Sequence, residues 1–120
     1  MKQRDFGWLA ELKAPVLTDS VLLSHCNTSH DAILLTWNQR RVKYSQADAA
    51  AMLEMPKSHL SNILSGQKYL PDDLRVPFMW LCGSLALRQF EDKQMADLGI
   101  DMELMEAERK LSELKARRAA

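Results

Sequence analysis

The feature that most constrains the fold is a segment in the middle of the chain, residues 45–66, with the sequence SQADAAAMLEMPKSHLSNILSG. Two short helical patterns flank residues 54–56 (Glu-Met-Pro), and Gly66 ends the second one, since glycine is favoured just past a helix C-terminus. Two helices joined this tightly must cross closely, so the first needs a small residue at the crossing, which Ala50 supplies. The segment therefore predicts a tight pair of short helices.

The second helix of this pair is amphipathic. The expected buried side chains of the pair are Ala50, Leu53, Met55, Leu60, Ile63 and Leu64. Of these, Leu60, Ile63 and Leu64 form a narrow stripe on the second helix, and the rest of that helix is polar. The polar face carries Lys57, Ser58, Ser61, Asn62 and Ser65. Short side chains and one lysine suit close approach to another polar surface.

No part of the sequence shows the alternating pattern of a strand, and we expect an all-α fold. The expected helices are one capped by Ser29 or Asp31 that runs to about Val42, one capped by Ser45 that runs through Leu53, and further helices over Pro56 to Ser65, Pro77 to about Asp97, and 101–118. Short helical turns are expected over 5–13 and 21–23, the second capped by Asp19 or Thr18. We divide the chain into an N-terminal extension (1–28), a helical domain (29–98) and a C-terminal helix (99–120).

The charge is unevenly distributed, although the formal net charge is zero. Residues 37–70 carry a net charge of +3, residues 71–108 one of −6, and residues 109–120 one of +4. Because local charge sets local attraction, the middle segment can bind an anionic partner, with weak long-range steering.

Two further observations concern the cellular compartment in which the protein is expected. The longest apolar run, around 76–87, is interrupted by proline and glycine, and the first ten residues lack the apolar core of a secretory signal. Cys26 and Cys82 have no partner motif, so we expect two free thiols in the reducing cytoplasm.

The central segment resembles the helix-turn-helix of phage repressors of the Cro/CI type, the XRE family. The resemblance rests on Ser45-Gln46, Ala49-Ala50, Leu53, Met55, Ser58, Leu60-Ser61, Ile63 and Gly66, in register. It implies a lambda-repressor-like domain with an additional C-terminal helix. It also implies a sequence-specific transcriptional regulator of phage, plasmid or bacterial origin, a repressor that inserts its second helix into the major groove of double-stranded DNA.

The resemblance also assigns candidate contact residues. The base-reading candidates are Lys57, Ser58, His59 and Asn62. Lysine can donate to guanine, and asparagine can pair with adenine. The phosphate candidates are Ser45, Gln46, Ser61, Lys68 and Tyr69, with Arg40, Arg41 and Lys43 at the edge. Each has a plainer interpretation as a solvated surface side chain or a helix start, and it is the joint pattern that favours DNA.

Two residues depart from the family pattern. Glu54 stands where the family's turn usually has glycine, which predicts a lengthened or differently shaped turn, because a left-handed conformation is costly for a non-glycine residue. Pro56 stands where a capping Ser or Thr is common, which leaves the first amides of the second helix in need of another partner.

Catalysis has little support in the sequence. The three histidines are not placed with Cys26 or a serine in a nucleophile arrangement, and no glycine-rich phosphate loop occurs. His59 has no second metal ligand at a suitable spacing. We therefore expect neither an enzyme nor a bound cofactor or metal.

The C-terminal helix carries a short apolar stripe. Leu104, Ala107, Leu111 and Leu114 follow a–d spacing over two heptads, flanked by Met102 and Met105. The stripe is either a homodimer contact or a surface packed on its own domain. Dimerisation is also expected because one recognition helix contacts few base pairs. The alternative function is a protein-binding module, such as an antitoxin or adaptor, that covers a second protein with this stripe.

Overall fold

A computed structural model of the protein describes residues 6–99 and 101–119, apart from the side chains of Met102 and Ala119. Within these ranges the chain is all-α, with no β-strand. The α-helices are α1 (Ser20–Ser24), α2 (Ser29–Asn38), α3 (Gln46–Met52), α4 (Lys57–Leu64), α5 (Arg75–Cys82), α6 (Ala86–Asp97) and α7 (Met102–Ala119). Short 3-10 helices cover Gly7–Glu11 and Asp72–Leu74. None of the described helices is long and apolar enough to cross a membrane.

The chain divides into two compact units, Met1–Phe90 and Glu91–Ala120. The core of the first unit is assembled around α5, most of whose side chains are buried. Its Phe78 is fully buried and stacks on Trp37 of α2, with ring centroids 6.4 Å apart. The other fully buried large side chains include Leu53, Leu60, Ile63, Leu74, Leu81 and Leu87.

Helix α2 starts and ends differently from the sequence prediction. Its N-cap is Thr28, whose hydroxyl accepts a hydrogen bond from the Asp31 amide at 3.1 Å. The Asp31 carboxylate accepts from the Thr28 amide in return, so the two residues form a capping box. The helix ends at Asn38 and not near Val42, because the amide of Arg41 already bonds to the Cys82 carbonyl at 3.0 Å.

The single helix predicted from Pro77 to Asp97 is in fact two helices, α5 and α6. Gly83 ends α5 in the left-handed conformation, with φ +76°. The Ser84 hydroxyl accepts from the Ala86 amide at 3.2 Å, at the start of α6. Pro77 is the third residue of α5, which begins at Arg75, and a proline in the first turn removes no helical hydrogen bond.

Residues 6–28 form part of the first unit. Phe6 and Leu23 belong to its core, and the backbone of Val16 pairs with that of Gly83 and Leu85. The side-chain amide of Gln89 bonds to both backbone groups of Thr18. The predicted turn over 5–13 is the 3-10 helix Gly7–Glu11, and the turn over 21–23 is α1, capped by Asp19.

The second unit contains α7, whose N-terminus is capped by Asp101. The Leu104 amide donates to the Asp101 carboxylate at 3.1 Å, and Arg109 and Glu113 form an ion pair of 2.7 Å along the helix. Every described side chain of α7 is exposed.

Candidate nucleic-acid interface

Helix α3 begins as the sequence predicts. Ser45 is its N-cap, and the Ser45 hydroxyl accepts from the Asp48 amide at 3.0 Å. Gln46 is the first helical residue and is half-buried. Ala49 and Ala50 are buried, and α3 packs against α4. The small residue predicted at the crossing is thus inside, while the start of α3 stays accessible.

The turn between α3 and α4 is short, in contrast to the lengthened or reshaped turn predicted from Glu54. Glu54 itself adopts the left-handed conformation, with φ +57°. The Met55 amide bonds to the Ala50 carbonyl at 2.9 Å, which closes the turn, and the Met55 side chain is buried. The left-handed conformation costs a non-glycine residue about 1–2 kcal/mol, and Glu54 adopts it at an exposed position.

Helix α4 separates an apolar inner stripe from a polar outer face. Leu60, Ile63 and Leu64 are buried. Lys57, Ser58, Ser61 and Ser65 are exposed, and His59 and Asn62 are partly exposed. Pro56 is the N-cap and makes no side-chain capping bond, as the sequence predicts, so α4 begins without a side-chain acceptor for its first amides.

The segment after α4 is held against the end of that helix. Gly66 is left-handed, with φ +85°, and the amides of Gln67 and Lys68 both donate to the Asn62 carbonyl at 2.9 and 3.2 Å. The side chains of Gln67, Lys68 and Tyr69 are exposed, and Tyr69 retains 96% of its accessible surface. A tyrosine this exposed is unusual, because its ring gains nothing from the core.

The His30 side chain connects the start of α2 to the C-terminal end of α4. Its Nε2 lies 2.7 Å from the Leu64 carbonyl oxygen, and a β-carbon at Gly66 would lie 3.3 Å from the ring. The backbone conformation of Gly66 therefore favours glycine, and a β-carbon at this position would also require a small shift of the His30 imidazole. Sequence reasoning did not assign His30 a role, because its partner is a backbone carbonyl 34 residues away.

The side chains of the two arginines predicted at the edge of the interface donate hydrogen bonds to carbonyl groups within the first unit. The Arg41 guanidinium donates to the carbonyls of Lys13, Ala14 and Trp80 at 2.6–3.2 Å. Arg40 lies over the Trp37 ring, 3.7 Å from its centroid, and donates to the Trp37 carbonyl at 2.8 Å. A phosphate would have to compete with these partners, and we leave both arginines out of the proposed contact set.

The remaining candidates give a modestly positive surface. The exposed cations near the α3–α4 pair are Lys43, Lys57 and Lys68, and the exposed acidic side chains are Asp48 and Glu54. Gln67 is an addition that sequence reasoning missed. The sequence feature that indicates this role is the position of Gln67 between Gly66 and Lys68, in a stretch (65–68) that has no apolar residue to bury.

The stripe predicted on α7 is exposed. Leu104, Met105, Leu111 and Leu114 each retain 50–56% of their accessible surface. The Met102 side chain, also predicted at the dimer contact, lies outside the described part of the structure.

No family model, no curated protein and no solved structure matches this chain. The function is therefore argued from the geometry of α3, α4 and their flanking segments.

Proposed function

We propose that the protein is a sequence-specific DNA-binding regulator that inserts α4 into the major groove in the manner of a helix-turn-helix. The observation that carries the proposal is the outer face of α4. Within the described residues, the side chains of Lys57, Ser58 and Asn62 make no hydrogen bond or ion pair, while the inner stripe is fully engaged in the core. These polar groups are free to bond outside the chain.

The dimensions and chemistry of α4 suit a major groove. An α-helix with its side chains is about 10–12 Å across, which fits the major groove of about 12 Å width. Lys57 near the N-terminus can donate to guanine O6 and N7, and Asn62 can pair with adenine through both amide atoms. Each well-formed contact contributes about 1–3 kcal/mol of discrimination between bases. Ser58 and His59 add further donors and acceptors beside them.

The flanking groups are suited to positioning α4 on the phosphates. Ser45 accepts one hydrogen bond as the α3 cap, and its own hydroxyl proton can still donate to a phosphate. Gln46, Ser61, Gln67, Lys68 and Tyr69 supply further donors at exposed or partly exposed positions. With Lys43, Lys57 and Lys68 as the cations, the binding constant should fall with salt with a log–log slope of about −2 to −3 per half-site.

The discriminating test is selection of bound sequences from a random duplex pool, using the full chain and two α4 variants. Wild type should enrich a consensus at low salt. Lys57→Ala should lose preference at one position and Asn62→Ala at another, because each side chain faces its own base pair. Lys13→Ala and Asn27→Ala remove an exposed lysine and asparagine elsewhere and should keep the wild-type consensus.

Two outcomes would count against the proposal. If no consensus is enriched by wild type even at low salt, specific DNA binding is excluded. If both α4 variants keep the wild-type consensus, α4 is not the helix that contacts the bases.

A protein-binding module, such as an antitoxin or adaptor, is the second candidate, favoured by the exposed stripe of α7. In that case substitutions on α4 would be silent, and Leu111→Ala would abolish capture of the partner.

A further inference from the structure

The exposed stripe of α7 has the spacing of a two-stranded helical seam. Leu104, Ala107, Leu111 and Leu114 are separated by three, four and three residues, which places them on one side of an α-helix. The three leucines are each at least half exposed in this chain. Met105 lies about 100° around the helix from Leu104, on the side away from Ala107, and so falls outside the seam.

The charges of α7 are segregated along its length. From 101 to 108 every charged side chain is acidic: Asp101, Glu103, Glu106 and Glu108. From 109 to 118 five are basic and one is acidic, Glu113, which pairs with Arg109 in its own helix. The helix therefore has a negative first half and a positive second half.

This segregation determines which orientation of two such helices is favourable. In a parallel pair, the positions flanking the seam meet five residues apart, so Glu103 faces Glu108 of the other copy, and Lys110 faces Lys115. In an antiparallel pair, the acidic half of each helix lies along the basic half of the other. Opposite charges at flanking positions set orientation, and like charges destabilise it.

We propose that α7 pairs antiparallel with α7 of a second copy of this chain, in a register centred on residue 109. In this register Leu104 packs against Leu114 of the other copy, and Ala107 against Leu111. Each flank of the seam meets the same flank of the other copy, so Glu103 meets Arg117 and Asp101 meets Lys115 at each end, against one Lys110–Lys110 and one Glu108–Glu108 contact at the centre. The interface is isologous, so each contact occurs twice about the two-fold axis.

The proposal goes beyond DNA binding and does not depend on it, because none of its residues lies on α3 or α4. Two heptads form a short seam, so we expect a weak, concentration-dependent dimer and not a permanent one.

The test is sedimentation equilibrium of the full chain over a wide concentration range at low salt, with charge-reversal variants. Glu103→Lys alone and Arg117→Glu alone should each weaken the dimer by about three- to tenfold, because each creates two like-charged contacts. The double variant should return to within about twofold of wild type, because the exchanged charges meet again. Leu111→Ala should abolish the dimer, and Lys13→Glu, on the first unit, should leave it unchanged.

Other results would contradict the orientation of the pair or the interface itself. A parallel pair would be strengthened by Glu103→Lys, which relieves the repulsion from Glu108, and that result overturns the orientation. A wild-type chain that stays monomeric at all concentrations, or a dimer unaffected by Leu111→Ala, overturns the interface itself. Circular dichroism of each variant should match wild type, since every changed side chain is exposed.

Discussion

The left-handed Glu54 makes a quantitative prediction about stability. Its φ of +57° is a conformation that a β-carbon disfavours by about 1–2 kcal/mol, and glycine adopts it without that penalty. Glycine also makes the unfolded chain more flexible, which offsets about 0.4–1 kcal/mol of the gain. We therefore expect Glu54→Gly to stabilise the first unit by about 0.5–1 kcal/mol.

The size of the thermal shift follows from the size of the unit. Unfolding entropy is about 2.1 cal/mol/K per residue, so for residues 1–90 this gain raises Tm by about 3–5 °C. Thermal unfolding followed by circular dichroism, together with urea unfolding, would measure it. The urea midpoint should rise without a change in the slope.

Two matched variants separate the relief of backbone strain at position 54 from the effects of a new glycine and of the lost charge. Ala51→Gly introduces the same residue three positions earlier, on the exposed side of α3, and should destabilise by about 1 kcal/mol. Glu54→Ala removes the charge but keeps the β-carbon, so it should leave most of the strain in place. If Glu54→Gly destabilises the protein as Ala51→Gly does, the strain argument is refuted.

Three further predictions concern charge and titration. Lys68→Ala should weaken binding to all duplexes alike and flatten the log–log salt slope by about one unit, as measured by titration at several salt concentrations. Hydrogen bonds from the amides of Asn27 and Thr28 lower the pKa of Asp31 below its ordinary 3.8, so its contribution to stability is present above pH 3.8 and lost as pH falls through the lowered value. The stability difference between wild type and Asp31→Asn should accordingly shrink in acid unfolding below pH 3.8. Burial raises the pKa of the Cys82 thiol to about 12, so iodoacetamide should alkylate Cys26 in the native protein and reach Cys82 only after unfolding.

The α3–α4 pair could be predicted from sequence because its determinants are local. The Ser45 cap and the Gly66 stop act within one turn of their own helices. The buried positions follow from a 3.6-residue period over a few turns. The class of the fold could be predicted for the same reason, since helical spacing persists along most of the chain.

Features that depend on distant backbone groups could not be predicted. The Arg41 guanidinium donates to carbonyls 27–39 residues away in the chain, and no sequence pattern predicts which backbone carbonyl will accept from it. The break at Gly83 interrupts an apolar pattern that continues through it, and the break is fixed by pairing with Val16. Thr28 and Ser29 are both competent caps, and only the reciprocal bond with Asp31 distinguishes them. The contact residues on α4 stay a prediction until bound DNA is examined.

The attachment of the N-terminal segment to the α5–α6 corner has a consequence for the order of folding. The α3–α4 pair closes within a few residues, whereas the contact between Thr18 and Ser84 closes a loop of 66 residues. Loop closure costs more entropy as the loop lengthens, so this attachment should form late and open first. Native-state hydrogen exchange should therefore find the amides of Val16 and Leu85 among the early openers, while Leu53 and Met55 exchange only through global unfolding.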